Sequence, residues 1–321
     1  MGRRNRRSGG FRVDGMEKKI VCRVLTGPTA SGKSDIGFRM AATHGWEIIC
    51  MDSMQIYRSM DIGTAKPSRE EQAAVPHHLL DICDPRESYS VSCYVQDAEK
   101  CIREIAARGR EMLFVGGTGL YLEGLVKGMS LGSIPANETL RAELRALAEA
   151  PDGRRLLDER LRKCDPATAE KLPLNDLRRR IRAIEVSEST GTPFSAQPEA
   201  MTESPFEWIL VSTCMEREHL YGRINARVDR MMESGLAEEV RRLLSEGVPE
   251  DAQSMQAIGY KEMVPFLRDE YTMEAALEEI RKRTRHYAKR QMTFLKRIEG
   301  IRYVDSEAPE AYAEIERFFQ V

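Results

Sequence analysis

Gly27-Pro28-Thr29-Ala30-Ser31-Gly32-Lys33-Ser34 reads G-x-x-x-x-G-K-[ST], the pattern of a phosphate-binding loop. Residues 19–25 before it are mostly apolar and partly β-branched (Ile20, Val21, Val24), as a buried strand requires. Residues 35–44 after it lack proline and put Ile36, Met40 and Ala41 on helical spacing. Strand, loop and helix in that order turn a pattern into a site. The glycines let the backbone curl so that N–H groups face phosphate oxygens, and the new helix adds its positive end. Lys33 is placed to reach a terminal phosphate, and Ser34 to offer its hydroxyl to Mg²⁺.

Working outward, strands are expected at 47–51, 78–82 and 111–115, with a polar loop at 61–76. A helix is expected at 92–108, where Tyr94, Ala98, Ile102 and Ile105 share one face. This alternation predicts an α/β fold: a P-loop NTPase-like parallel sheet flanked by helices. Ligands on such sheets bind beyond the carboxyl ends of the strands, which gathers the P-loop, Asp52 and Thr118 around one crevice. From residue 130 the pattern changes to helices at 138–150, 153–163, 166–171 and 176–190 with no strand between them. A strand at 206–213 rejoins the sheet, and helices follow to about residue 297 with breaks near Gly235, 247–259 and Pro265. The expected organisation is a disordered basic leader at 1–17 (Arg3, Arg4, Arg6, Arg7, Arg12), a catalytic core at 18–129 and 206–321, and an all-helical insertion at 130–205.

Composition is globular, 41% hydrophobic and 31% charged, with no apolar run long enough to span a bilayer. No membrane partner is expected. The net charge of −2 means that a polyanion must be met by local basic patches. The cysteines are odd in number, seven, and contain no C-x-x-C. A reducing, cytoplasmic setting fits that better than a disulfide framework or a zinc knuckle.

Asp52 ends the second strand, where a general base or a water-mediated Mg²⁺ ligand belongs; a turn-capping Asp is the plainer alternative. The strand at 112–115 runs into Gly-Gly-Thr rather than the Asp of a Walker B element, so the apparatus that orients water for ATP hydrolysis is missing. Arg223, Arg227 and Arg230 line one face of the helix that starts near 216. They suit either a diphosphate or a solvated, acid-paired surface. Arg178-Arg179-Arg180-Ile181-Arg182 and the stretch 281–297, with eight Lys or Arg and no acid, carry the density expected of a nucleic-acid footprint.

Further motifs then agree in order: DSMQIYRSMDIGTAKP (52–67), PHHLLDICDP (76–85), VGGTGLY (115–121), INARVDRMMESGL (224–236), QAIGYKE (256–262) and TRHYAKRQMTFLK (284–296). Over about residues 21–305 the chain resembles the bacterial-type tRNA dimethylallyltransferases, also called tRNA isopentenyltransferases. The resemblance implies transfer of a dimethylallyl group from dimethylallyl diphosphate to N6 of the adenine 3′ of the anticodon. The P-loop would then cradle the diphosphate of the prenyl donor.

Carried onto this chain, the resemblance makes Asp52 the general base, with Thr118 holding the carboxylate and the adenine. The diphosphate falls to residues 27–34, with Lys33, Mg²⁺ on Ser34, and Arg227, with Arg223 secondary. Contacts to the tRNA anticodon stem-loop fall on Asp52, Ser53, Met54, Gln55, Thr118, Arg141, Arg178, Arg179, Arg180, Ile181, Arg182, Gln256, Ala257, Ile258, Gly259, Tyr260 and Lys261. In the last six, Tyr260 would stack on a base and Lys261 would meet a phosphate. The chain is expected to act as a monomer. An adenylate (AMP or ADP) isopentenyltransferase, a P-loop nucleotide kinase and a non-catalytic RNA-binding protein are the alternatives. The first needs neither the insertion nor the basic run, and the last leaves the P-loop and Asp52 unexplained.

Overall fold

The computed structural model describes residues 19–128, 134, 137–197 and 204–320. In chain order the first elements are β1 (Ile20–Thr26), α1 (Lys33–His44), β2 (Glu47–Cys50), α2 (Arg69–Ala74), β3 (His77–His78), α3 (Val91–Ala107), β4 (Met112–Val115) and α4 (Gly119–Val126). Four helices follow, α5 (Glu138–Glu149), α6 (Gly153–Cys164), α7 (Pro166–Lys171) and α8 (Leu177–Thr190). The chain continues with β5 (Phe206–Cys214), α9 (Arg217–Glu233), α10 (Leu236–Ser245), α11 (Tyr260–Leu267), α12 (Met273–Leu295), β6 (Arg302–Asp305) and α13 (Ala311–Phe319).

The six strands form one parallel sheet in the order β3-β2-β4-β1-β5-β6. The P-loop sheet with flanking helices is thus present as expected. Period-two alternation explains its two buried faces. Cys22 and Val24 of β1, with Ile49 and Phe114, pack against Tyr94, Ile102 and Leu122 of α3 and α4. Leu25, Ile48 and Leu113 pack on the other face with Met40 of α1 and Ile315 and Phe319 of α13. Because β4 lies between β1 and β2, the connections diverge at β1 and β4, and their carboxyl ends open a crevice.

Several elements depart from expectation. β3 is shorter than the strand expected at 78–82, because Leu79 and Asp81 take positive φ (60° and 53°). Within the expected loop 61–76, Ser68 and Glu71 form a reciprocal capping box that starts α2. Beyond residue 297, β6 and α13 add an unforeseen edge strand and helix. Arg23 in β1 anchors that end: its Nε donates to the Phe319 carbonyl at 3.1 Å, and its guanidinium lies 4.7 Å from the Trp46 ring.

The described residues form two compact units, one up to Lys127 and from Ser204 onward, the other from Gly128 to Gln197. The second unit is helical, with its own core of Leu144, Leu157, Leu161, Ile181 and Ile184. Buried polar groups tie it together. Asp165 accepts from Thr168 and Ser195 through both backbone N–H and hydroxyl. Glu185, fully buried, receives Arg141, Arg182 and the Asn137 N–H.

Arg180 is 1% exposed, and its guanidinium meets Asp158 at 2.5 Å and the carbonyls of Ala169, Leu172 and Pro173. It therefore braces α7 against α8 and presents nothing to an RNA, contrary to expectation. Ile181 is likewise a core residue. Arg180→Ala strips three carbonyls and Asp158 Oδ1 of this donor, leaving Asp158 only the exposed Arg162 on Oδ2, and is expected to destabilise the protein by about 3–5 kcal/mol. Arg178→Ala, at an exposed position on the same helix, should change stability by less than about 0.5 kcal/mol. Urea unfolding of the full chain checks both.

Candidate active site

After β1 the backbone turns through Gly27 (φ 146°), Ala30 (φ 65°) and Gly32 (φ 83°) into the N-terminus of α1. A Cβ at Gly27 would lie 2.2 Å from Thr213 Oγ1, so β5 admits only glycine there. Ser31 is an internal strut: its Oγ donates to the Pro28 carbonyl at 2.8 Å and lies 2.6 Å from Thr213 Oγ1. Lys33 Nζ folds back onto the same Pro28 carbonyl at 3.1 Å. Arg223 Nε donates to the Ala30 carbonyl at 2.8 Å, which seats this secondary candidate directly on the loop. Ser34 is exposed on the first turn of α1.

Burial, reinforced by Arg227, pushes the Lys33 ammonium down to about 8, with Asp52 and Cys50 opposing. Burial also lowers the Arg227 guanidinium, which Asp52 partly restores. Two cations and one carboxylate therefore share the crevice. The Arg227 charge disfavours the Lys33 ammonium.

Asp52 follows β2 by two residues. Its Oδ1 accepts from the N–H groups of Met54 (2.9 Å) and Gln55 (3.4 Å). The turn-capping and catalytic readings thus both have an oxygen: Oδ1 holds the turn, and Oδ2 has no donor among the described residues. Thr118 Oγ1 accepts from Ser53 N–H at 3.0 Å and Thr118 N–H donates to the Met51 carbonyl at 3.2 Å. It therefore fixes the turn that carries Asp52, through Ser53.

Sequence reading missed two residues on α12. Gln291, 6% exposed, accepts from Thr29 N–H of the P-loop at 2.9 Å and donates to the Gly117 carbonyl at 2.8 Å. Tyr287, one turn earlier, sits beside Thr118 and Gln291, and burial together with the Asp52 charge raises its phenol well above the usual range. The signal was present. Ala276, Ile280, Ala288, Gln291 and Leu295 form the buried stripe of α12, and a glutamine in such a stripe needs partners. The basic character of the helix hid this face. Much of its charge is paired: Arg281 with Asp229, Arg283 with Glu262 and Glu279, and Arg285 with Glu278.

The remaining expected RNA contacts divide. Gln55 donates its Nε2 to the carbonyls of Thr64 and Ala65, both at 3.1 Å. In the 256–261 stretch, Gln256 and Lys261 are exposed, whereas Ala257, Gly259 and Tyr260 are buried. Tyr260 is fully buried, with its hydroxyl 2.5 Å from Glu239 Oε1, so no base can stack on it. A cleft of about 370 Å³ opens beside this stretch, its lining including Lys261, Lys282, Arg283 and Arg290 together with the carboxylates Glu262 and Glu279. In the helical unit Arg178 and Arg179 are exposed, while Arg141 and Arg182 are paired with Glu185.

The profile of the IPP transferase family matches residues 55–298, and that of isopentenyl transferases residues 20–82. The tRNA dimethylallyltransferase of Shouchella clausii is 44% identical over 91% of this chain and 93% of its own length. That of Pelotomaculum thermopropionicum is 44% identical over 90% and 92%. Among solved structures, the tRNA isopentenylpyrophosphate transferase of Bacillus halodurans aligns with a TM-score of 0.69 at 40% identity, covering 94% of this chain and 96% of that one. A eukaryotic dimethylallyltransferase captured acting on tRNA aligns with a TM-score of 0.76 at 29% identity, covering 90% and 74%.

The lowered Lys33 ammonium predicts a pH dependence. Below about 8 it is charged and an anion in the loop is held; above about 8 the free protein loses that charge and binding weakens. The affinity for inorganic pyrophosphate, measured by calorimetry from pH 6.5 to 9.5, should therefore fall as pH rises through this range. Lys33→Arg keeps its charge throughout, so the ratio of wild-type to variant affinity should decline by up to about tenfold per pH unit above it.

Proposed function

The chain belongs to the IPP transferase family, and from that premise we propose how its residues divide the work of a tRNA dimethylallyltransferase. The enzyme transfers the dimethylallyl group of dimethylallyl diphosphate to N6 of the adenine 3′ of the anticodon in tRNA, releasing diphosphate. The adenylate and kinase alternatives find no support among its relatives.

One observation carries the assignment of roles: Lys33 after β1, Asp52 after β2 and Arg227 on α9 lie close enough for the charges of Arg227 and Asp52 to act on Lys33 and for Asp52 to act on Arg227. The prenyl carbon–oxygen bond breaks toward the cationic end, and its electron pair leaves on the diphosphate. The P-loop N–H groups, Lys33, Arg223 and Arg227 neutralise that charge as it grows, where electrostatic stabilisation is most effective. The carbon–nitrogen bond forms at the other end, and Asp52 Oδ2 takes the proton that N6 gives up. An exocyclic amine is a weak nucleophile, so a positioned acceptor is the least the reaction needs. Tyr287 and Thr118 wall this end, and Gln291 holds it in register with the leaving-group loop.

Ser34 fits a magnesium ion: its hydroxyl is exposed at the loop and takes no hydrogen bond from the described residues. No cluster of three His, Cys, Asp or Glu that could hold a metal occurs among them, so the diphosphate itself would supply most ligands. Bound there, Mg²⁺ adds charge neutralisation to the leaving group. The reacting adenine must leave the anticodon-loop stack, at a cost of a few kcal/mol. Phosphate contacts from Lys261, Arg290 and, in the helical unit, Arg178 and Arg179 offset that cost. No helix among the described residues is long and apolar enough to cross a membrane. The enzyme acts as a monomer on cytoplasmic tRNA.

The test incubates the protein and Mg²⁺ with radiolabelled dimethylallyl diphosphate and either unmodified tRNA or AMP. Label should enter tRNA alone; label in AMP alone would overturn the tRNA reading. Asp52→Ala should lower kcat by about 10²–10⁴-fold while filter binding of tRNA is retained. Replacing Arg178 and Arg179 together by Ala should reduce the slope of log affinity against log salt by up to about 2.

A further inference from the structure

Tyr260 and the DIGTAKP stretch belong to motifs that the reaction, as derived so far, leaves without a task. Glu239 on α10 is 5% exposed, and its carboxylate accepts from the backbone N–H groups of Asp61 (2.9 Å), Ile62 (3.0 Å) and Gly63 (3.3 Å). It also accepts from Tyr260 Oη at 2.5 Å. A run of converging N–H groups is an anion nest, here filled by a side chain of the same protein. Gly63 is required by Tyr260, since a Cβ at 63 would lie 2.4 Å from Tyr260 Cε2.

What this arrangement holds is the next residue. The Thr64 carbonyl accepts from Gln55 Nε2 at 3.1 Å and from Arg227 Nη2 at 3.5 Å. Gln55 also lies in the turn capped by Asp52, through its N–H to Oδ1. Thr64 is pinned from beneath as well, its hydroxyl donating to the Met60 carbonyl at 2.6 Å. Lys66 closes the loop, its ammonium donating to the Tyr57 carbonyl (2.7 Å), Asp61 (2.7 Å) and Asp81 (2.6 Å). Buried, fully bonded polar groups of this kind fix one backbone conformation.

We propose that Glu239 and Tyr260 are a positioning pair for the transferase reaction: they hold loop 61–65 so that its Thr64 carbonyl aims Arg227 at the diphosphate and steadies the Asp52 turn through Gln55. Tyr260 thus acts in this chain as a fourth donor to Glu239, beside three backbone N–H groups. The inference rests on the reading of Arg227 as a diphosphate ligand, and its test separates the two.

Full-length wild type, Tyr260→Phe, Arg227→Lys and the double variant are compared, with inorganic pyrophosphate as competitive inhibitor against dimethylallyl diphosphate. Tyr260→Phe removes only the hydroxyl, so it should keep the tRNA dissociation constant within about twofold while kcat falls about tenfold and the pyrophosphate inhibition constant rises about fivefold. A merely structural hydroxyl would lower the melting temperature and leave both constants of the folded enzyme where they were, which would overturn the proposal. Arg227→Lys alone should raise the inhibition constant about tenfold. Adding Tyr260→Phe to it should then raise it no further, because the pair acts through Arg227. Independent multiplication of the two effects would also overturn the positioning role. An Arg227→Lys variant with an unaltered constant would instead remove Arg227 from the diphosphate site, and with it the route by which the pair acts. Glu239→Gln should follow Tyr260→Phe in direction; if it does not fold, Tyr260→Phe still decides.

Discussion

At the end of β2 the backbone of Met51 lies against β4 and the loop that follows it. Met51 N–H donates to the Val115 carbonyl at 2.8 Å, its own carbonyl accepts from Thr118 N–H at 3.2 Å, and a Cβ at Gly116 would come within 2.1 Å of that carbonyl. Only glycine permits this approach. The approach sets the position of Thr118, whose hydroxyl holds Ser53 and so the turn that carries Asp52. The same loop meets the P-loop through Gln291, which touches Gly117 on one side and Thr29 on the other. Asp52 and the P-loop are thus referenced to one stretch of backbone, and their separation follows from strand register rather than from flexible side chains.

Lys33 and Arg227 are partly withdrawn from water, each bonded to a loop carbonyl, of Pro28 and of Thr64, and the Asp52 charge only partly offsets the effect of burial on them. The cost of holding the cations there is met elsewhere, by the packed sheet on one side and by the cluster of Ile56, Tyr57, Val228, Val240 and Ile280 on the other. Arg223 differs in kind: it is exposed and bonded to a P-loop carbonyl.

α12 shows how one helix serves two purposes. Its outer side carries the exposed Lys289 and Arg290, the latter over the Tyr287 ring, with other basic residues paired to acids of α9, α11 and its own preceding turn. Its inner side sets Tyr287 beside Thr118 and bonds Gln291 to the P-loop. Density of positive charge in the sequence reports the first role and is silent about the second.

The sequence alone determined the P-loop, the alternation that makes a parallel sheet and the strand-end position of Asp52. These follow from local rules, turn chemistry and hydrophobic period, that act within a few residues. Tertiary structure decided which polar residues face the solvent and which hold the frame. Arg180, Gln55 and Tyr260 look like recognition residues in the chain, yet each is bonded inward. Their partners, Asp158, Thr64 and Glu239, lie 22, 9 and 21 positions away and are settled only when the chain folds back on itself. Gln291 is the reverse case, a plain residue in a basic helix that becomes a link in the site because Thr29, 262 positions away, presents an N–H to it. A buried polar side chain needs a partner, and a partner supplied from far along the chain leaves no periodicity or motif at the position it serves.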